Sequence, residues 1–124
     1  MKRILTPKAP IPAGHYSQAV AHGGLLFVSG QLPVDPADPT WKSDDIQSQT
    51  GRVLANLDAI LTEAGCTRAS VLKVTVYISD ITLWGSVNEV YAKYFGAHRP
   101  ARAIVPVRDL HHGFLIELEA IAAT

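Results

Sequence analysis

The sequence predicts an α+β sandwich in which one mostly antiparallel sheet carries two helices on a single face. Three observations lead there. Two stretches repeat their apolar residues at the three-to-four spacing of a helix. The remaining apolar residues fall in short strand-like runs, and a strand separates the two helices, giving the order strand, strand, helix, strand, helix, strand, strand. With 124 residues, 48% of them hydrophobic, the chain has material for one core and not two. Residues 1–124 therefore read as a single domain, and the proline-rich stretch from Pro33 to Pro39 as one long loop, too short to separate two cores.

The first two strands, Tyr16 to Ala21 and Leu25 to Ser29, flank His22-Gly23-Gly24, a glycine-bearing turn that predicts a hairpin. After the proline-rich loop, Ser43 or Asp44 can cap a helix whose apolar face holds Ile46, Val53, Leu54, Leu57, Ile60, Leu61 and Ala64. That helix ends at Gly65. From Val71 to Ile78, Leu72, Val74, Val76 and Ile78 share one parity, and Lys73, Thr75 and Tyr77 the other, as in a half-buried strand. Val87, Val90, Tyr91, Tyr94 and Phe95 predict a second helix, stopped by Gly96 and followed by the extended pair Arg99-Pro100, packing beside the first. Two strands, Ala101 to Val107 and Phe114 to Ala122, complete the order across His111-His112-Gly113.

Eleven basic residues balance eleven acidic ones. A surface built to neutralise phosphates needs a basic excess, so nucleic acid is not an expected partner. Zero net charge permits self-association by offering little repulsion between copies. Cys66 is the single cysteine, which excludes an intramolecular disulfide and a multi-cysteine metal site and suits a reducing compartment. Lys2 and Arg3 precede no apolar signal core, and the tightest apolar run, Leu25 to Val28, is far too short to span a bilayer. The expectation is a cytoplasmic protein with no membrane partner.

The last strand carries the most chemistry. Phe114, Ile116, Leu118, Ala120 and Ala122 form an apolar face, while Leu115, Glu117, Glu119 and Ile121 occupy the other. Two carboxylates thus stand about 7 Å apart among apolar neighbours. A solvated strand face accounts for this pattern. So does a site, if Arg102 on the preceding strand lies near them, as an antiparallel pairing of those two strands would place it. An arginine beside a carboxylate is an ion pair, or, facing a cleft, a fork for a substrate carboxylate that leaves a glutamate free to move protons. Periodicity alone does not choose.

Other candidates are weaker. On a strand, the adjacent His111 and His112 would point to opposite faces, and no metal-ligand spacing accompanies them or His15, His22 and His98, so no metal or other cofactor is expected. Cys66 would lie at the negative end of the first helix, which disfavours a thiolate. Gly30 marks either a turn or a close approach of backbone to ligand.

Gly14-His15-Tyr16-Ser17-Gln18-Ala19-Val20, Phe27-Val28-Ser29-Gly30-Gln31, Asn56-Leu57, Val87-Asn88-Glu89-Val90-Tyr91, Pro100-Ala101-Arg102 and Ile116-Glu117-Leu118-Glu119-Ala120, in that order over nearly the whole chain, resemble the Rid family, also called YjgF. The resemblance implies a chorismate-mutase-like fold and a homotrimer with sites in the clefts between subunits. It also implies metal-independent hydrolysis of reactive 2-imino or enamine acids, such as 2-iminopropanoate and 2-iminobutanoate, to 2-keto acids and ammonia. Carried over by motif, Arg102 clamps the substrate carboxylate, Glu117 positions and activates water, Tyr16 lines the pocket and Gly30 offers backbone contacts.

Three departures bear on specificity. His15 stands where the family usually has proline, His111-His112 stand within its usual Leu-Pro-x-Gly segment, and Ile104 stands where many members carry cysteine, making that wall of the pocket more apolar. Four functions compete: this deaminase, a pathway-specific deaminase of an aminomuconate-like enamine, an endoribonuclease or translation inhibitor, and a non-catalytic small-molecule sensor. Zero net charge weighs against the third, and retention of Arg102 and Glu117 against the last.

Overall fold

The computed structural model describes all 124 residues. Eight elements follow one another: β1 (Lys2–Ile4), β2 (Ala19–His22), β3 (Leu25–Gln31), α1 (Ile46–Glu63), β4 (Val71–Ile78), α2 (Trp84–Phe95), β5 (Ala101–Pro106) and β6 (Ile116–Ala123). The strands form one six-stranded sheet in the order β1-β2-β3-β6-β4-β5, antiparallel at every pairing except β4 with β5. The expected α+β architecture is present.

Each helix begins and ends for a local reason. The Asp45 carboxylate caps α1 by accepting from the Ser48 amide at 2.9 Å, one or two residues beyond the expected caps. This contact holds the Asp45 pKa below the usual carboxylate range, its side-chain bond from Ser48 contributing most. Past Glu63, Gly65 at φ 75° ends α1, and Gly96 at φ 62° and ψ −125° ends α2, both at positive φ that favours glycine. Val53, Leu54, Leu57, Ile60 and Leu61 of α1 and Val87, Tyr91 and Phe95 of α2 are buried against Leu26, Val28, Val74, Val76, Ile78, Ile116 and Leu118 of the sheet. Each such large side chain contributes roughly 1.5–3 kcal/mol of transfer free energy.

The other face of the sheet carries no helix. Phe27, Thr75, Tyr77, Glu117, Glu119 and Ile121 share it, as the registers Phe27 with Ile121, Thr75 with Glu119 and Tyr77 with Glu117 require.

Several expectations are corrected. β1 is an additional edge strand, too short to show a period. The hairpin turns at Gly23 and Gly24, both at positive φ, but its first strand starts at Ala19, because the chain bends at Tyr16 and again at Gln18. A register shift between Val71 and Lys73 buries Val71 and leaves Leu72 48% exposed, reversing the expected side for Leu72. Phe114 and Leu115 precede β6 rather than belonging to it. The strands bearing Arg102 and Glu117 do not pair: β4 lies between them, with β5 running parallel to it after the α2 crossover.

Candidate active site

Arg102 and Glu117 come to opposite faces of the sheet. Arg102 registers with Val74, a core residue on the helix side. Its Nη1 donates to Asn88 Oδ1 at 2.8 Å, and its guanidinium carbon lies 4.7 Å from the Tyr91 ring centroid and 5.5 Å from that of Trp84. One turn of α2 separates Asn88 from Tyr91 and from Trp84, so a single helix face supplies the hydrogen bond and the two rings. Burial pushes the Tyr91 phenol up to about 12, with the Arg102 cation pulling the other way, and its buried hydroxyl has no partner. A cleft of about 440 Å³ opens here, lined among others by Asn88, Tyr91, His98, Arg99 and Arg102, three potential cations and no carboxylate. Ile104 also lies on the helix side, in register with Val76 and packed against the core.

Glu117 stands half-buried on the open face. Burial raises its pKa above the ordinary carboxylate range, Glu119 raises it further, and the nearby His111 opposes both. Gly30 lies directly beside it, and a Cβ added at Gly30 would collide with the Glu117 carboxylate. The φ of Gly30 is not positive, so the glycine is required by close approach rather than by a turn. β3 loses register with β6 between Val28 and Gln31, which leaves Ser29 and Gly30 without partners on β6.

Glu119 differs from Glu117 in surroundings. It is exposed and accepts a hydrogen bond from the Tyr77 hydroxyl at 2.7 Å, a bond that raises the Tyr77 pKa. A carboxylate so engaged is less available for proton transfer than its half-buried neighbour.

A second cavity, of about 330 Å³, lies on the Gly30 side and is lined by Tyr16, Gly30, Gln31, His111 and His112 together with Pro10, Ile11 and other apolar groups. Buried Gln18 builds its rim. The Gln18 amide accepts from the Thr6 amide at 2.8 Å and donates to the carbonyls of Thr6, Ala9 and Pro10, while Ser29 Oγ donates to the Ser17 carbonyl at 2.6 Å. These bonds fasten the segment carrying Tyr16 against the strand carrying Gly30. Asn56 similarly holds the carbonyls of Leu32 and Val34 from α1, and Gln49 Oε1 accepts from the Leu115 amide just ahead of β6.

His111 and His112 lie in a short 3-10 turn rather than on a strand, so their rings stand together, 3.8 Å between centroids, instead of facing apart. Buried Cys66 has its Sγ 3.4 Å from the Ala123 carbonyl, a packing position. No three His, Cys, Asp or Glu side chains converge into a possible metal-binding set.

Within one chain, then, Tyr16, Gly30 and Glu117 gather on one side and Arg102, Asn88 and Tyr91 on the other. The sequence motifs contain Gln18, Asn56 and Asn88, but only the fold shows what they hold. A polar residue placed inside an otherwise apolar helix or strand pattern was the available signal.

This chain belongs to the Rid/YjgF family: the family model described as endoribonuclease L-PSP matches residues 6–124. A RutC family protein of Pyrococcus abyssi is 50% identical over 119 residues, 96% of this chain and 94% of that protein. The 2-iminobutanoate/2-iminopropanoate deaminase of Rattus norvegicus is 43% identical over 121 residues, 98% of this chain and 88% of its own length. Among solved structures, E. coli TdcF with bound serine superposes with a TM-score of 0.95 at 37% identity, covering 100% of this chain and 99% of the other. The Rid protein YyfA of Yersinia pestis gives 0.96 at 41% identity, covering 99% and 98%.

Proposed function

We propose that this protein is a hydrolytic deaminase of small 2-imino acids and that its site forms between copies of the chain. The separation of Arg102 from Glu117 across the sheet carries the second half of this reading. A reaction needing a carboxylate grip and a proton-transferring carboxylate at one substrate cannot draw both from one chain, whereas a neighbouring copy can bring its Glu117, Gly30 and Tyr16 to the Arg102 cleft. The open sheet face suits that assembly: Phe27, Leu72 and Val105 expose 45%, 48% and 36% of their surfaces on a chain with no third helix to cover them. Three-fold symmetry is taken over from the family resemblance rather than from the chain itself.

The chemistry needs only what these residues supply. Arg102, held by Asn88, binds the substrate carboxylate through its two parallel N–H groups and fixes the C=N carbon. The imine enters as the iminium, its nitrogen protonated from solvent, and Glu117 takes a proton from water as the water oxygen bonds to that carbon and the C=N π pair moves onto nitrogen. The resulting carbinolamine receives that proton on nitrogen from Glu117, its C–N bond breaks as ammonia leaves, and the hydroxyl proton passes to the freed Glu117 carboxylate and on to solvent as the carbonyl forms. Imine and water are consumed; 2-keto acid and ammonia are released. A carboxylate whose pKa burial has raised suits this alternation, because it accepts and returns a proton with less mismatch to neutral pH. Gly30 brings backbone within reach of the same carbon, and Ile104 and Tyr16 form apolar and aromatic walls.

Support for this substrate class comes from the rat relative, which is named for it. Purified protein is assayed on 2-iminopropanoate and 2-iminobutanoate generated in place by an amino-acid oxidase, with semicarbazide trapping whatever imine survives. Faster loss of trapped imine and matching 2-keto acid are expected; a rate equal to that without protein overturns the proposal.

A further inference from the structure

The side chains on the Glu117 side of the site show more than a place for a short alkyl substrate. The cavity there measures about 330 Å³ in the single chain, before the neighbouring copy of the proposed assembly covers it. Gly30, which lies beside the Glu117 carboxylate, is part of its lining, so the cavity adjoins the place that the proposed mechanism gives the reacting carbon. Most of the wall is apolar or neutral. His111 and His112 are the exceptions, and no acidic side chain lines it.

These imidazoles are arranged as a pair. Their centroids lie 3.8 Å apart because His112 takes φ 60° and ψ 16°, the left-handed conformation that a side chain other than glycine adopts only at a cost. His112 is the sole non-glycine residue in the chain at positive φ. Neither ring is engaged by a hydrogen bond from another protein group, whereas His98, by contrast, is tied to the Val71 carbonyl at 2.7 Å. The Tyr16 hydroxyl, on the same lining, is likewise free. Two imidazoles this close, tilted by 51°, each carry a ring N–H, and two donors match the two oxygens of one carboxylate better than a single hydroxyl or an alkyl end.

Resting on the deaminase reading above, we infer that His111 and His112 select 2-imino acids bearing a second carboxylate at the end of the side chain. One carboxylate is held by Arg102, the C=N carbon lies at Gly30 and Glu117, and the side chain runs into the cavity to meet the imidazole pair. The titratable groups facing that end are Tyr16, His111, His112 and, behind Gly30, Glu117. His111 lies close enough to Glu117 for its charge to favour the carboxylate form, which offsets repulsion between Glu117 and a diacid.

The test is a ratio of specificity constants. Iminosuccinate and 2-iminoglutarate, generated from aspartate and glutamate by an amino-acid oxidase, are compared with 2-iminobutanoate in the same trapping assay. The wild-type chain should favour a diacid by about tenfold, the worth of one charge-assisted hydrogen bond. His111→Leu should lower that ratio about tenfold, His111→Gln, which keeps a donor, should lower it less, and His112→Asn, which tolerates the left-handed backbone, should lower it as well. Melting curves of each variant separate misfolding from altered selection. If 2-iminobutanoate is hydrolysed but the diacids are not preferred, or the ratio is the same in all variants, this inference fails and the deaminase reading stands. If no imine is hydrolysed, both fall.

Discussion

The guanidinium of Arg102 and the carboxylate of Glu117 sit on opposite faces of one sheet, with β4 running between their strands. No side-chain rotation brings them together. Mixing Arg102→Lys and Glu117→Gln proteins, each impaired on its own, should therefore raise activity above that of either component after subunit exchange, toward about one quarter of wild-type sites for random trimers. Specific activity measured against mixing ratio checks this; a mixture no more active than its components excludes a site shared between copies.

Light scattering should give a mass of ~40 kDa, three times the 13.4 kDa chain. Phe27→Asp, which places a charge on the open sheet face, should weaken that assembly. A 13.4 kDa species for the wild-type chain at micromolar concentration would remove the shared site altogether.

Arg102→Lys should lower kcat/KM by about tenfold to a hundredfold, because an ammonium keeps the charge but loses the planar fork and the geometry fixed by Asn88. Steady-state kinetics on 2-iminobutanoate decide it, and wild-type values would free Arg102 of the role.

Glu117→Gln should cost about a hundredfold in kcat, and Glu119→Gln, already engaged by Tyr77, far less. Stability should move the opposite way. Glu117 has a raised pKa in the fold, so the native chain binds its proton more tightly than the unfolded chain, and stability falls as pH rises from the ordinary glutamate range through the raised value. Glu117→Gln should thus raise the melting temperature at neutral pH and lose that advantage at pH values below the ordinary range. Equal melting-temperature differences at acidic and neutral pH would mean that burial does not penalise this carboxylate.

Gly30→Ala should act through Glu117. Its Cβ meets the carboxylate, which is the movable end of a side chain, so the fold survives while the carboxylate is displaced. We expect a large fall in kcat with little change in melting temperature, and little further loss when Gly30→Ala is added to Glu117→Gln. Fully additive losses would separate the two residues.

Local pattern made the helices legible in the sequence. The apolar spacing of α1 and α2 and their terminal glycines are properties of neighbouring residues, and they place both elements to within a few positions. β1 was not legible because Lys2–Ile4 is too short for any period. Leu72 went to the wrong side because a bulge breaks the alternation that assigned it. The pairing of β5 is a nonlocal property. A strand, a helix and a second strand commonly form a parallel crossover, which accounts for β5 beside β4, but the pairing of β6 with the other edge of β4 is equally nonlocal. Residue types at the site were visible as motifs, but the distribution of those residues over two faces was not, because face depends on which strand lies beside which.

The placement of β5 has a mechanical meaning. It is the outermost strand on its side of the sheet, bonded through one ladder to β4 and free on the other edge. The position of Arg102 is consequently set less by the sheet than by α2, through Asn88, Tyr91 and Trp84. Repacking Val87 or Phe95 in the core would therefore move the guanidinium through α2, while the Glu117 side rests on other elements. Under the proposed mechanism, a change in the core of one helix would then alter substrate grip and leave proton transfer in place.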